Sequence, residues 1–324
     1  MALRQLRIII SGGTGHIGQI LARHFLEQGH DVTVISRYPR AAEWKSVHWD
    51  AYHLGSWVDS LDGSDVVINL AGRNVNCRYT AVNRRDILNS RTITTGLIGQ
   101  AISEAINPPK LWLNASTATI YRHSLDKSMD EATGEIGGNE PGIPATWRFS
   151  IDVATAWENT FFSADTARTR RVALRSAILM SPEKRGPFDL LLRLVRWGFG
   201  GMAGSGRQFV SWIHDVDFIR AIEFLILSEE IEGIVNIASP SPLPNRKFMN
   251  CLRQAWCTSY VGLPAPAWLV PVGAFLLRTE AELLLKSRRV VPQRLLDAGF
   301  EFHFPNWRGA CADLVARWRQ LHSE

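Results

Sequence analysis

Apolar residues along this chain fall into short β-branched runs that alternate with longer segments of helical spacing. The run at residues 6–10 predicts a first strand. Ile17, Ile20, Leu21 and Phe25 then recur on one face of a helix. Residues 31–36 predict a second strand, and 46–49 a short third strand ending at Asp50. Further strands are predicted at 65–70, 110–115 and 171–180, with helices at 80–106 and 146–162. Strands that alternate with helices need crossover connections, so the pattern predicts an α/β fold with a doubly wound parallel sheet.

The alternation breaks at Ser181. Pro182, Pro187 and the glycines 198, 200, 201, 204 and 206 interrupt it. A helix at 216–227 and a strand at 233–238 then restore it, before the proline-rich stretch 239–244. The expected organisation is a sheet domain of residues 1–180, to which 213–238 return. A smaller domain of 181–212 and 239–324 caps the C-terminal edge of the sheet, where ligands of open α/β sheets bind.

Between the first strand and first helix lies Ser11-Gly12-Gly13-Thr14-Gly15-His16-Ile17-Gly18. Glycines at such a junction let the chain turn sharply and let a phosphate approach the backbone. The N–H groups of the first helical turn then face the anion. Gly13, Gly15 and Gly18 spell GxGxxG; Gly12, Gly15 and Gly18 spell GxxGxxG, and both registers stay open. Either one, placed between strand and helix, predicts a Rossmann-type dinucleotide site. Gly12, Thr14, Gly15, His16, Ile17 and Gly18 are its candidate loop residues. NAD binders carry a carboxylate about 20 residues further on, at the end of the second strand. Here Ser36-Arg37 stands there, and a guanidinium suits a 2′-phosphate. The expected cofactor is therefore NADP(H). Arg40 is a candidate helper. Asp50 either accepts from the adenine amino group or simply forms a turn.

Composition narrows the class. A chain of 324 residues with net charge +5 and 21% charged residues reads as an ordinary globular protein. Its short basic clusters (Arg168, Arg170, Arg171; Lys286, Arg288, Arg289) read as solvated surface, so no nucleic-acid partner is expected. Cys77, Cys251, Cys257 and Cys311 form no CxxC pair, which predicts reduced thiols and no metal site. The first strand is expected almost at Met1, leaving no room for a signal peptide. The apolar run 263–277 is broken by Pro264, Pro266 and Pro271, so no membrane span is expected. A cytoplasmic protein acting on a small molecule follows as the expectation.

The stretches SGGTGHIG, SRYP, WD, NLAG, NSR, STATIY, GSGRQFVSWIH and VVPQRLLDAGFEF together resemble the atypical extended short-chain dehydrogenase/reductases. They are most similar to the "epimerase family protein" branch, with its C-terminal domain of unknown function. The likeness runs over about residues 6–307. It implies a Rossmann domain for NADP(H) with a substrate domain above the nicotinamide, and leaves room for a homodimer. Matched by position, Gly12, Gly15 and Gly18 are the phosphate loop, Arg37 the basic residue after the second strand, and Asp50 the adenine contact. Asn69, Leu70, Ala71 and Gly72 match the stretch lining the adenine-ribose side. Thr117 matches the hydroxyl that bonds the reacting substrate oxygen. His16 departs from the large apolar residue usual in that loop.

The extended enzymes place a Tyr and a Lys four residues apart on the helix at 146–162. This chain has neither there: Phe149 with Val153, or Ser150 with Ala154, stand in their place. The atypical branch generally lacks the pair too. Tyr121, after Thr117, is either the substitute proton carrier favoured by its position or a packed, structural tyrosine. Asp152, His214 and Arg207 are weaker candidates, Arg207 as a clamp for an anionic substrate. The twelve tryptophans read as packing, with Trp212 a candidate for the cleft wall. The expected function is an NADP(H)-binding oxidoreductase or epimerase-like enzyme for a small carbonyl, alcohol or sugar-like substrate. The alternative is a non-catalytic NADP(H) sensor or scaffold.

Overall fold

The computed structural model describes residues 4–256, 262–264 and 282–322. The strands are β1 (Arg7–Ser11), β2 (Asp31–Ser36), β3 (Lys45–His48), β4 (Val66–Asn69), β5 (Leu111–Thr117) and β6 (Arg170–Ser176), followed by β7 (Ile178–Met180), β8 (Phe209–Val210), β9 (Trp212–His214) and β10 (Gly233–Ile237). Seven of them form one parallel sheet in the order β3, β2, β1, β4, β5, β6, β10. Ile8, Ile9, Ile10, Val66, Val67 and Ile68 are buried on both faces, as a parallel sheet under two layers of helices requires. The chain reverses its direction of travel between β1 and β4. Their C-terminal ends therefore flank a crevice.

Helices α1 (His16–Glu27) and α5 (Asp215–Leu227) cover one face, through Leu21, Phe25, Phe218 and Ile222. Helices α2 (Ala81–Glu104) and α3 (Ala145–Phe162) cover the other, where Ile98, Ile102 and Phe161 pack against Trp112. Thr80 starts α2 by accepting a hydrogen bond from the Asn83 N–H, 3.2 Å away. The expected strand at 171–180 is divided. Ala177 leaves the sheet after bonding Ile237, and β7 then pairs with β9 instead.

A second core joins α4 (Pro187–Arg196), α6 (Asn245–Trp256) and a C-terminal helix at Trp307–His322. Trp212 is fully buried there against Trp307, so it packs this core and is not a cleft wall. Not all of the C-terminal part belongs to it: Leu295 and Phe300 pack into the core under α1 and α5. His214 ties the start of α5 to the C-terminal helix. Its Nδ1 accepts from the Val216 N–H and its Nε2 lies 3.0 Å from Asp313, while its ring stacks on Phe304 at 3.8 Å. That buried role leaves no exposed imidazole for catalysis.

Two polar clusters hold the sheet's upper edge. Asn69 Nδ2 donates to Asn114 Oδ1 (2.7 Å) and Thr95 Oγ1 (3.1 Å), and its Oδ1 accepts from Ser11 Oγ (2.7 Å). Trp157 of α3 donates to the same Thr95 hydroxyl, at 2.9 Å. Beside them, the Arg175 guanidinium meets Glu158 through two bonds of 2.8 Å, with Ser116 donating to the same carboxylate. Both charged residues are nearly inaccessible to water. Removing one member strands the other. Glu158→Ala is expected to cost about 3–5 kcal/mol in urea unfolding, whereas replacing both residues by apolar side chains of similar volume recovers most of that loss.

Candidate functional site

The glycine loop occupies the crevice between β1 and β4. Gly12 turns with φ +73°, and a Cβ there would lie 2.8 Å from the backbone of Leu70 and Ala71. Gly15 is the N-cap of α1, with no side chain capping it and no acidic residue in the first turn. The first N–H groups of α1 thus keep their positive end for an external anion. A Cβ on Gly18 would fall 2.4 Å from Gly13 Cα, so only glycine lets α1 press against the loop. Gly13 serves packing instead: its Cβ would strike Val34 of β2 at 2.7 Å. The two registers left open by the sequence are thereby separated. Gly12, Gly15 and Gly18 line a cleft of about 420 Å³, together with His16 and Ile17, and Gly13 does not.

The other candidate cofactor residues spread around this loop. Thr14 turns towards β2, its hydroxyl 3.2 Å from Ser36 Oγ. His16 Nε2 lies 2.7 Å from Ser181 Oγ and ties the loop to the segment before α4. Ser36 is buried at the end of β2, while Arg37 is exposed with its guanidinium 5.8 Å over the Tyr38 ring. Arg40 is exposed as well. Leu70 and Gly72 line the cleft; Ala71 is buried behind them, donating its N–H to Asn69. Asp50 forms a turn. Its carboxylate accepts from the backbone of Tyr52 and His53 and meets His53 Nδ1 at 2.6 Å. The bond from the His53 side chain holds that carboxyl well below its ordinary value.

At the far end of the cleft α3 presents Phe149, Ser150, Val153 and Ala154. Both positional pairings considered for the missing Tyr and Lys therefore face the cleft, and neither supplies an acid or base. Thr117 lines the cleft too, its hydroxyl accepting from the Thr119 N–H at 3.2 Å. Tyr121 does not join it. After β5 a short helical turn carries Tyr121 beneath the sheet's end, where it is 1% exposed and donates to Asn236 at 2.9 Å. Burial raises the pKa of its phenol, against the Arg175 charge. The proton carrier expected from sequence is thus sealed in the core. Asp152 is exposed on α3, and Arg207 lines a separate pocket with Arg246 and Lys247.

Several groups in the cleft, and Lys286 behind it, come from places where sequence carried no signal of function. Ser150 donates to Glu282 at 2.6 Å, across 132 residues of chain. Lys286 donates to the Thr119 carbonyl (2.7 Å), and Arg288 to the Thr119 hydroxyl (3.2 Å). Both cations were expected on solvated surface; they are 1% and 6% exposed, because this segment packs against the turn after β5. Arg91, on α2, donates to Ile87 and lies 5.1 Å over the Trp157 ring beside Gly72. Burial pushes Glu282 up, and pushes Lys286 down to about 8, aided by the Arg288 charge. Tyr79 also lines the cleft.

Among the described residues no group of three or more His, Cys, Asp or Glu is placed to hold a metal ion. None of the described helices is long and apolar enough to cross a membrane. Most of the apolar run 263–277, and Cys257, lie outside the described residues.

Comparison with known proteins gives a consistent set of likenesses. Residues 8–238 match the NAD dependent epimerase/dehydratase family, and residues 265–314 match a domain of unknown function, DUF1731. The chain is 32% identical over 319 residues to the epimerase family protein SDR39U1 of Mus musculus, spanning 96% of this chain and 100% of that one. It is 28% identical over 317 residues to the epimerase family protein YfhF of Bacillus subtilis (strain 168), with 96% and 98% covered. A crystal structure of human SDR39U1 (isoform 2) with NADPH superposes with a TM-score of 0.83 at 30% identity, covering 96% of this chain and 99% of that one.

The buried Lys286 makes stability depend on pH. Its folded pKa of about 8 lies below the ordinary 10.5, so between these values the unfolded chain binds a proton that the folded protein sheds. Its contribution is least favourable below pH 8 and improves as pH rises, by at most about 1.4 kcal/mol per unit. Urea unfolding of the wild type and Lys286→Met is expected to show their stability difference shifting towards the wild type across that window.

Proposed function

The chain belongs to the NAD-dependent epimerase/dehydratase family, and on that premise we propose that it binds NADP(H) and acts as an oxidoreductase or epimerase-like enzyme on a small carbonyl, alcohol or sugar-like substrate. One observation carries the cofactor assignment. The uncapped N-terminus of α1 opens into the cleft, and side chains at Gly12 or Gly18 would collide with backbone. That cradle fits a pyrophosphate. The NADPH held by the human relative supports the same choice.

When bound, the nicotinamide supplies hydride chemistry; the chain's residues bind, orient and exclude water. The N–H groups at the start of α1 take the pyrophosphate charge. Arg37, exposed at the end of β2, takes the 2′-phosphate through charge-assisted bonds. Thr117 holds the substrate oxygen. Phe149, Val153 and Ala154 form an apolar wall that keeps water from the reacting end. Thr14 and Ser36 support the loop from behind, and His16 anchors it to Ser181. A cytoplasmic setting suits the free thiols of Cys77, Cys251 and Cys311.

The apolar face of α3 favours a second reading, in which NADP(H) is sensed and no substrate is turned over. A hydride-transfer screen with a panel of small carbonyls and alcohols separates the two. Turnover that Thr117→Val lowers by tenfold or more supports the enzyme. Tight NADPH binding without any turnover supports the sensor.

Arg37→Ala is expected to weaken NADPH binding by at least about tenfold while leaving NADH within about twofold, the loss of one charge-assisted contact. Fluorescence titration with both cofactors checks this; equal losses for the two would remove Arg37 from the 2′-phosphate.

A further inference from the structure

Positions 149 and 150 are where α3 would carry its missing tyrosine, and they hold Phe and Ser. The structure brings a phenol to that place from elsewhere. Tyr79 stands just before α2. Its ring meets Phe149 edge-on, with centroids 5.0 Å apart, and its hydroxyl lies 3.4 Å from Ser150 Oγ. Tyr79 is half-buried and lines the same cleft as Thr117 and the glycine loop.

The direction of the Tyr79–Ser150 bond follows from proton counting. Ser150 has one proton, and Glu282 at 2.6 Å claims it over the Thr146 carbonyl at 3.2 Å. The Ser150 oxygen therefore accepts, and Tyr79 donates. Behind this pair the Glu282 carboxylate lies 3.6 Å from Lys286 and 3.8 Å from Arg288. A chain of proton-bearing groups thus runs from the cleft into a buried carboxylate.

The cleft that Tyr79 lines also carries guanidinium groups, a positive charge of the kind the absent lysine would have supplied. Arg91 and Arg288 line the same cleft as Tyr79. Arg84 donates to the Tyr79 carbonyl at 3.0 Å and lies 4.8 Å over the Phe149 ring. The Glu282 carboxylate is reached from the phenol through Ser150. Positive charge near a phenol favours its ionised form.

We propose that Tyr79 is the proton-transferring catalytic residue of this protein, with Ser150 as its positioning residue and Arg91 and Arg288 as its charge partners. The assignment rests on the proposed reading of the cleft as an NADP(H) hydride-transfer site. In the reductive direction a carbonyl carbon gains a hydride from the dihydronicotinamide, which is oxidised. The carbonyl π pair takes the Tyr79 proton, giving an alcohol and a tyrosinate. Solvent then returns the proton to Tyr79. Oxidation of the alcohol runs the same steps backwards.

Ultraviolet difference titration of tyrosinate tests the residue without any substrate or cofactor. The chain has five tyrosines. One is expected to ionise at least about one pH unit, or tenfold in acid constant, below the ordinary value near 10. That signal is expected to vanish in Tyr79→Phe, to move up by about a unit in Arg91→Met, and to stay low in Arg91→Lys. Absence of an early-ionising tyrosine, or its survival in Tyr79→Phe, overturns the proposal. NADPH quenching of tryptophan fluorescence then separates the two levels. Tyr79→Phe should bind NADPH within about twofold of the wild type yet lose about a hundredfold or more in turnover on the carbonyl panel. Undiminished turnover overturns the Tyr79 role alone. Failure of the wild type to bind NADPH overturns the cofactor reading, and the catalytic role with it.

Discussion

The upper edge of this sheet depends on one buried amide. The Asn69 side chain joins Ser11 at the end of β1, Asn114 on β5 and Thr95 on α2, and through Thr95 it reaches Trp157 on α3. Every polar atom of that side chain is used, in a place water does not reach. A network of this kind is worth most when complete, since any member left unpaired costs its full desolvation. It sets where β1, β4 and β5 end relative to one another. Those ends carry Gly12, Leu70 and Thr117, which form the floor of the cleft. The Arg175–Glu158 pair repeats the arrangement one strand further along, and fixes α3 to β6.

The cleft is closed beside α3 by a segment from much later in the chain. Residues 282–288 bring Glu282, Lys286 and Arg288 against α3 and the turn after β5. This insertion explains why α3 can lack both a tyrosine and a lysine without leaving the cleft apolar throughout. It also explains the displaced titrations there, since each charged group has lost most of its water and retains only its neighbours. The C-terminal part therefore both builds the second core and furnishes a wall of the site.

Much of the glycine-loop end of the cleft was legible in the sequence. The β-branched run, the glycines and the following amphipathic helix are contiguous, so local spacing reported them faithfully. The twofold reading of the glycines was resolved only by what each Cβ would meet: Val34 for Gly13, the backbone of Leu70 and Ala71 for Gly12. The α3 end of the cleft was less legible. Tyr121 follows Thr117 by four positions, yet after the turn at Ala118–Ile120 Thr117 lines the cleft while Tyr121 is buried against Asn236. Lys286 and Arg288 look like surface charge in sequence because nothing local marks a lysine or arginine that packing will bury.

By itself the sequence determined the alternating strands and helices, the parallel sheet and the phosphate-ready loop. Each of these follows from interactions between residues close along the chain, where periodicity and glycine content act directly. Tertiary structure alone decided which side chains share the α3 end of the cleft. Tyr79 and Ser150 are separated by 71 residues, Ser150 and Glu282 by 132. Their meeting depends on the crossing of α2 and α3 and on the packing of the C-terminal segment, and no local pattern encodes an encounter of that range.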